Sequence, residues 1–189
     1  MKNKKLTVTI GIPVYNEEKN IIFLLESIFE QKEEGYKIEK ILVISDGSSD
    51  NTVDVVCQLR NKKISIINGR KRIGKARRFN SLLKKNESDI FIQFDGDVVL
   101  KNENTIKNII KPFLNDPSIA VVNGSVEPIF PVTFVERLSY FGFEIWQESK
   151  RVLGNKAERY RSIGQIRAFS REFTKHFYLP RETDHYEDI

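Results

Sequence analysis

The sequence predicts an α/β fold with a mainly parallel central sheet flanked by helices, and three observations carry that expectation. Strand-like and helix-like segments alternate four times in succession between Thr7 and Leu114. Polar clusters follow the apolar runs rather than interrupting them, as they do where ligands bind beyond the carboxyl ends of parallel strands. The length of 189 residues suits one sizeable core, so residues 1–189 read as a single domain.

The first step pairs a β-branched, apolar strand over Thr7–Ile12, closed by Pro13, with a helix over Asn20–Phe29. In that helix Ile21, Leu24, Leu25 and Ile28 recur at helical spacing. Ile41–Ile44 is a short strand of the buried type, ending in the turn-forming run Asp46-Gly47-Ser48-Ser49-Asp50, whose Asp50 is placed to cap a helix over Thr52–Arg60. Ile64–Ile67 leads through Asn68-Gly69 to a helix over Lys75–Lys85, and Ile90–Phe94 ends at Asp95-Gly96-Asp97 before a helix near Asn104–Leu114. Repeated strand-then-helix order implies right-handed crossovers between parallel strands. After Ile119–Val126 the rhythm changes. Phe134, Leu138, Phe141, Ile145 and Val152 form the stripe of a long amphipathic helix, read as core packing, with contact to a membrane surface as the alternative. Gly164–Ser170 suggests a further strand and Arg171–Phe177 a short helix.

Composition narrows the class. Apolar residues make up 40% and charged residues 30%, which predicts a soluble, globular chain. The lysine cluster before Leu6–Val14 imitates a signal peptide, but Thr7, Thr9 and Pro13 break the apolar run. The single cysteine, Cys57, excludes an internal disulfide and fits a reducing compartment, so a cytoplasmic location, or the cytoplasmic face of a membrane, is expected. The net charge of +5 is unevenly spread. Eleven of the 31 basic residues lie between Arg60 and Lys85, where there is no acid, leaving 20 basic against 26 acidic residues elsewhere. Such a cluster attracts phosphate. A nucleic-acid module would bind with steep salt dependence and without metal; no nucleic-acid partner is expected.

An ATPase reading competes for the same cluster. Gly69-Arg70-Lys71-Arg72-Ile73-Gly74-Lys75-Ala76 follows a strand and opens a helix, like a phosphate-binding loop, but Ala76 lacks the hydroxyl that magnesium needs there. It also leaves Asn16-Glu17 and Asp46–Asp50 without a role. A nucleotidyltransferase of similar architecture would need a glycine-rich first loop, and Gly11-Ile12-Pro13-Val14 offers one glycine. Asp95-Gly96-Asp97 is more informative, since two carboxylates at a strand end can hold Mg²⁺ or Mn²⁺ together with a diphosphate.

Four segments stand together in order: Pro13-Val14-Tyr15-Asn16-Glu17-Glu18, Asp46–Thr52, Gly74-Lys75-Ala76-Arg77-Arg78-Phe79-Asn80 and Asp95-Gly96-Asp97. Their arrangement resembles the family 2 glycosyltransferases. Gly164–Arg171 is similar to that family's acceptor-side segment and Glu187-Asp188 to its late acidic pair. The resemblance implies the GT-A fold, a nucleotide-sugar donor, a divalent metal, Mg²⁺ or Mn²⁺, and inversion at the anomeric carbon. By resemblance, Pro13, Val14, Tyr15, Asn16 and Asp46 hold the nucleoside, and a carboxylate that only accepts hydrogen bonds suits the N3–H of uracil, so a UDP-sugar is the expected donor. Glu17 bonds a ribose hydroxyl or favours a helix N-terminus. Lys75 reaches the diphosphate, with Arg70 or Arg72 as looser candidates, while Arg77 and Arg78 read as solvated helix positions. Asp95 faces the ribose or sugar and shares the metal with Asp97. Asp188 is the expected general base, with Asp184 as the alternative, and the acceptor is expected to be a saccharide or a lipid-linked group. Family members usually continue beyond the acidic pair, so the chain is expected to be truncated there. A noncatalytic donor-binding or scaffold domain is therefore the alternative function.

Overall fold

The computed structural model describes residues 5–129, 131–153 and 165–180. Two compact units form, one from the chain before Ser125 and after Ile163, the other from Ser125–Ile163.

The larger unit is built on a six-stranded sheet in the order β3-β2-β1-β4-β6-β5. Its strands are β1 Leu6–Val14, β2 Tyr36–Ser45, β3 Ile64–Asn68, β4 Ile90–Phe94, β5 Val121–Asn123 and β6 Ile166–Ser170. β1 pairs in parallel with β2 and β4, and β2 with β3. β6 runs antiparallel to both β4 and β5. The mainly parallel sheet is therefore as expected, with one reversed strand. Helices α1 Ile21–Phe29, α2 Thr52–Gln58, α3 Lys75–Leu83, α4 Thr105–Asn115 and α6 Arg171–His176 accompany it. Chain order moves outward from β1 through β2 to β3, then returns to the other side of β1 for β4. That reversal creates a crevice beyond the carboxyl ends of β1 and β4, where ligands of open α/β sheets bind.

The apolar runs behave as strands covered on both faces. Residues 8–14 of β1 and all of β4 are buried, with Ile10, Ile12, Phe91 and Ile92 fully enclosed. α1 adds Ile21, Leu24, Leu25 and Ile28. Phe79 of α3 meets Phe91 and Phe169 with ring centroids 6.2 and 5.6 Å apart.

β2 is longer than the sequence reading of Ile41–Ile44. Its first half pairs with β1 alone, since β3 joins only from Ile41. That half is half-solvated, alternating buried Tyr36 and Ile38 with exposed Lys37 and Glu39, and the charges conceal the strand. The expected cap at Asp50 also differs: Asn51 precedes α2 without a side-chain cap, while Asp50 Oδ1 accepts from the Thr52 amide at 3.0 Å.

The smaller unit carries α5, Phe134–Leu153, the expected long helix. Its apolar stripe is not the core expected of it. Phe134, Leu138, Phe141 and Ile145 are exposed by 55% or more. A unit of so few residues cannot enclose every side of a twenty-residue helix. Among the described residues, no helix is long and apolar enough to cross a membrane.

Candidate functional site

Three loops meet beyond the carboxyl ends of β1, β2 and β4. The first begins where Pro13 and Val14 end β1, buried and paired with Ile44 and Ser45 of β2. The Val14 carbonyl accepts from the Asp46 amide at 2.8 Å, so both strands finish level. Asn16 turns the chain with φ of 57°, a left-handed conformation that asparagine tolerates better than most residues.

From there the loops after β1 and β2 are sewn together. The Asn16 amide donates to Ser48 Oγ at 3.1 Å and its Oδ1 accepts from the Ser49 amide at 2.9 Å. The Glu17 amide donates to Thr52 Oγ1 at 2.8 Å, and the Glu18 amide to Asp50 Oδ2 at 3.1 Å. Glu18 Oε2 in return accepts from the Asn51 amide at 2.9 Å.

Asp46 ends β2 and is almost fully buried. Its Oδ1 accepts from the Ile73 amide and from Arg78 Nε, each at 2.8 Å, and its Oδ2 accepts from the Gly74 amide at 2.9 Å. Arg78 is thus no solvated helix position, contrary to the sequence reading. Its side chain is 12% exposed, and Nη2 also donates to the Lys71 carbonyl at 2.8 Å. These bonds strap residues 69–74 against the end of β2. Gly47 permits the close approach: with φ of 77°, a Cβ there would lie 2.7 Å from the Lys71 carbonyl carbon. On the strap's outer side the Arg72 guanidinium lies over the exposed Tyr15 ring, 4.2 Å from its centroid.

The third loop follows β4. Asp95 Oδ2 accepts from Lys75 Nζ at 3.1 Å, and Oδ1 accepts from Gln93 Nε2 at 3.2 Å. Gln93 Oε1 in turn accepts from Arg167 Nε at 3.2 Å, which ties β6 into the site. Burial pushes the Asp95 carboxyl above its ordinary value, assisted by the negative charge of Asp97 and opposed by Lys75 and Gln93. Glu17 is also pushed up, first by burial and then by the charges of Asp97, Asp50 and Asp95, against a hydrogen bond from Asn20. Gly96 lets the loop after β4 meet the loop after β1, because a Cβ there would stand 2.9 Å from Glu17 Cγ. Asp97 is exposed.

The structure therefore brings together Tyr15 with Arg72, Asp46 with Arg78, Lys75 with Asp95, and Glu17 with the Asp95–Asp97 loop. Asp184 and Asp188, the expected bases, lie outside the described residues. Sequence reading missed Arg78, Gln93 and Arg167; the signal for Arg78 was the need of a charged residue at the end of a buried strand for a partner.

A half-buried carboxylate beside a second, exposed one is an oxygen-donor set that fits a hard divalent ion. Among the described residues no three His, Cys, Asp or Glu side chains are placed to hold a metal by themselves.

The family model described as Glycosyl transferase family 2 matches residues 9–177. A poly-beta-1,6-N-acetyl-D-glucosamine synthase of Staphylococcus aureus is 27% identical over 119 residues, which are 62% of this chain and 28% of that relative. This chain thus spans under a third of that relative's length. Among solved structures, a mannosyltransferase from Pyrobaculum calidifontis in complex with GDP-Man and Mn²⁺ superposes with a TM-score of 0.70 at 22% identity, covering 95% of this chain and 49% of the other. S. aureus TarS 1-349 in complex with UDP-GlcNAc gives a TM-score of 0.54 at 26% identity, covering 66% and 37%. Solved glycosyltransferases of this kind share the GT-A fold.

Proposed function

This chain belongs to glycosyl transferase family 2, and from that membership we propose that it moves a sugar from a nucleotide-diphospho-sugar, a UDP-sugar first among them, to an acceptor hydroxyl or lipid phosphate, with Mg²⁺ or Mn²⁺ assisting. The observation that carries the reading is the Lys75–Asp95 ion pair beside Asp97, in the crevice between the ends of β1 and β4. A cation and two carboxylates in that place suit a diphosphate and the ion it brings. Solved neighbours named for their complexes with UDP-GlcNAc and with GDP-Man and Mn²⁺ support it.

Asp95 and Asp97 would hold the divalent ion that accompanies the donor. When bound, the ion supplies neutralisation of charge on the departing nucleoside diphosphate. Lys75 adds a fixed positive charge on the diphosphate side, and the Tyr15–Asn16 turn with Asp46 receives the nucleoside. The acceptor oxygen attacks the anomeric carbon, the bond from that carbon to the diphosphate oxygen breaks, and Asp188, or Asp184 in its stead, takes the acceptor's proton. Attack opposite the leaving group inverts the anomeric centre.

A panel of nucleotide sugars measured for thermal stabilisation with and without Mn²⁺ tests the reading. A donor at a hundred times its dissociation constant adds about 2.7 kcal/mol. Stabilisation by no nucleotide sugar in either condition rejects the proposal.

A further inference from the structure

The Asp46 carboxylate has about four acceptor sites, two on each oxygen. Oδ1 accepts twice, from the Ile73 amide and Arg78 Nε, and Oδ2 once, from the Gly74 amide. One site remains, on Oδ2. The side chains of Asp46 and Arg78 are only 7% and 12% exposed, so water does not compete freely for the pair. Arg78 grips two things at once, since its Nη2 donates to the Lys71 carbonyl of the strap. A planar guanidinium does this with its donors in a fixed fork.

We infer that Arg78 is a positioning residue for nucleobase selection: by taking the second acceptor site of Asp46 Oδ1, beside the Ile73 amide, it leaves a single open acceptor, on Oδ2. That acceptor matches a base whose ring edge presents an imide-type N–H, such as uracil, and rejects cytosine, whose corresponding ring nitrogen is itself an acceptor. Guanine, with an N1–H, is not rejected by this device. The inference rests on the reading of Asp46 as facing the nucleoside, and adds that discrimination depends on a helix residue acting through it. Without Arg78 the Ile73 and Gly74 amides still hold one oxygen each, but a second acceptor site opens on Oδ1, where water can bind, and the carboxylate no longer offers one site alone.

Calorimetry of this chain with UDP, CDP and inorganic pyrophosphate, each with Mn²⁺, tests it. In the unmodified chain UDP binds more tightly than CDP. Arg78→Ala weakens UDP by roughly ten- to a hundredfold, the range for a hydrogen bond to a charged group, while CDP and pyrophosphate stay within about twofold. Arg78→Lys keeps a cation on Asp46 but not both arms of the fork, and retains most of the preference. Equal losses of UDP, CDP and pyrophosphate in Arg78→Ala overturn the inference, because Arg78 then merely holds the strap. An unchanged UDP to CDP ratio in Arg78→Ala overturns it too. So does a ratio in Arg78→Lys as low as in Arg78→Ala, which assigns the effect to the Lys71 arm. If Arg78→Ala does not fold, Arg78→Lys and Arg78→Gln decide: Gln retains a donor for Asp46 without charge, and loss of base preference in both overturns the inference. If the unmodified chain binds pyrophosphate with Mn²⁺ but does not prefer UDP to CDP, the base-facing reading of Asp46 fails. If it binds none of the three, the proposed function fails instead.

Discussion

Lys75 Nζ stands 3.1 Å from Asp95 Oδ2, joining the start of α3 to the end of β4 by an ion pair in which the carboxylate is the more enclosed partner. Amides at a helix N-terminus also attract anions. The structure directs the Ile73 and Gly74 amides to Asp46 instead, so Lys75 itself carries the positive charge toward the crevice.

Lys75→Ala is therefore expected to weaken UDP binding by roughly ten- to a hundredfold, as for loss of a charged hydrogen bond, and to leave uridine binding nearly unchanged. Titration of both ligands checks it. An equal fall for uridine would move Lys75 from the diphosphate to a structural role.

Asp97 is exposed and free to meet an ion that approaches with the donor, whereas Asp95 is engaged by Lys75 and Gln93. Asp97→Ala should abolish the Mn²⁺-dependent increment in UDP binding while leaving metal-free binding in place. Calorimetry with and without Mn²⁺ reads this directly, and an increment that survives the substitution assigns the ion elsewhere.

The general base is tested by substitutions that preserve size. Asp188→Asn should keep donor and Mn²⁺ binding and lower sugar transfer by roughly a hundred- to ten-thousandfold, the usual contribution of general-base assistance. Normal transfer by Asp188→Asn together with loss in Asp184→Asn makes Asp184 the base.

Tyr36 offers a test of stability away from the site. Its hydroxyl is buried and has no hydrogen-bond partner among the described residues. Burial, reinforced by the charges of Glu33 and Glu34, pushes the phenol up to about 12. Because the folded value is raised above that of the unfolded chain, the unfolded state loses its proton first as pH climbs. The associated stability is present below about 10 and is lost as pH rises towards 12. Tyr36→Phe should remove this alkaline loss and, by deleting an unsatisfied polar group, raise the neutral-pH melting temperature by roughly 2–4 °C, corresponding to about 1 kcal/mol. Melting curves at neutral and alkaline pH check both effects; a lower melting point at neutral pH would reveal a partner for the hydroxyl.

β1 and β4 were legible in the sequence because strands covered on both faces are rich in apolar and β-branched residues along their length, even with Thr7, Thr9 and Gln93 among them. The first half of β2 was hidden, because a strand with a partner on one side carries Lys37, Glu39 and Lys40 toward water. Among candidate site residues, Asp46, Lys75, Asp95 and Asp97 were named from their positions after strands. What they touch could not. Asp46 and Arg78 are 32 residues apart, and nothing in Arg77-Arg78 tells which arginine turns toward β2 until α3 is docked. The exposed stripe on α5 marks the opposite limit: periodicity shows that one face is apolar, and says nothing of what covers it.

The stitching of Asn16, Glu17 and Glu18 to Ser48, Ser49, Asp50, Asn51 and Thr52 has a bearing on how donor preference can be altered. Each loop uses the other's side chains to satisfy its amides, so neither is a separable unit of inheritance. A chimaera that imports the segment after β1 from a relative, and keeps the native segment after β2, would strand amides on both sides. Recombination that respects this seam must carry the two segments as one cassette, though some thirty residues divide them along the chain.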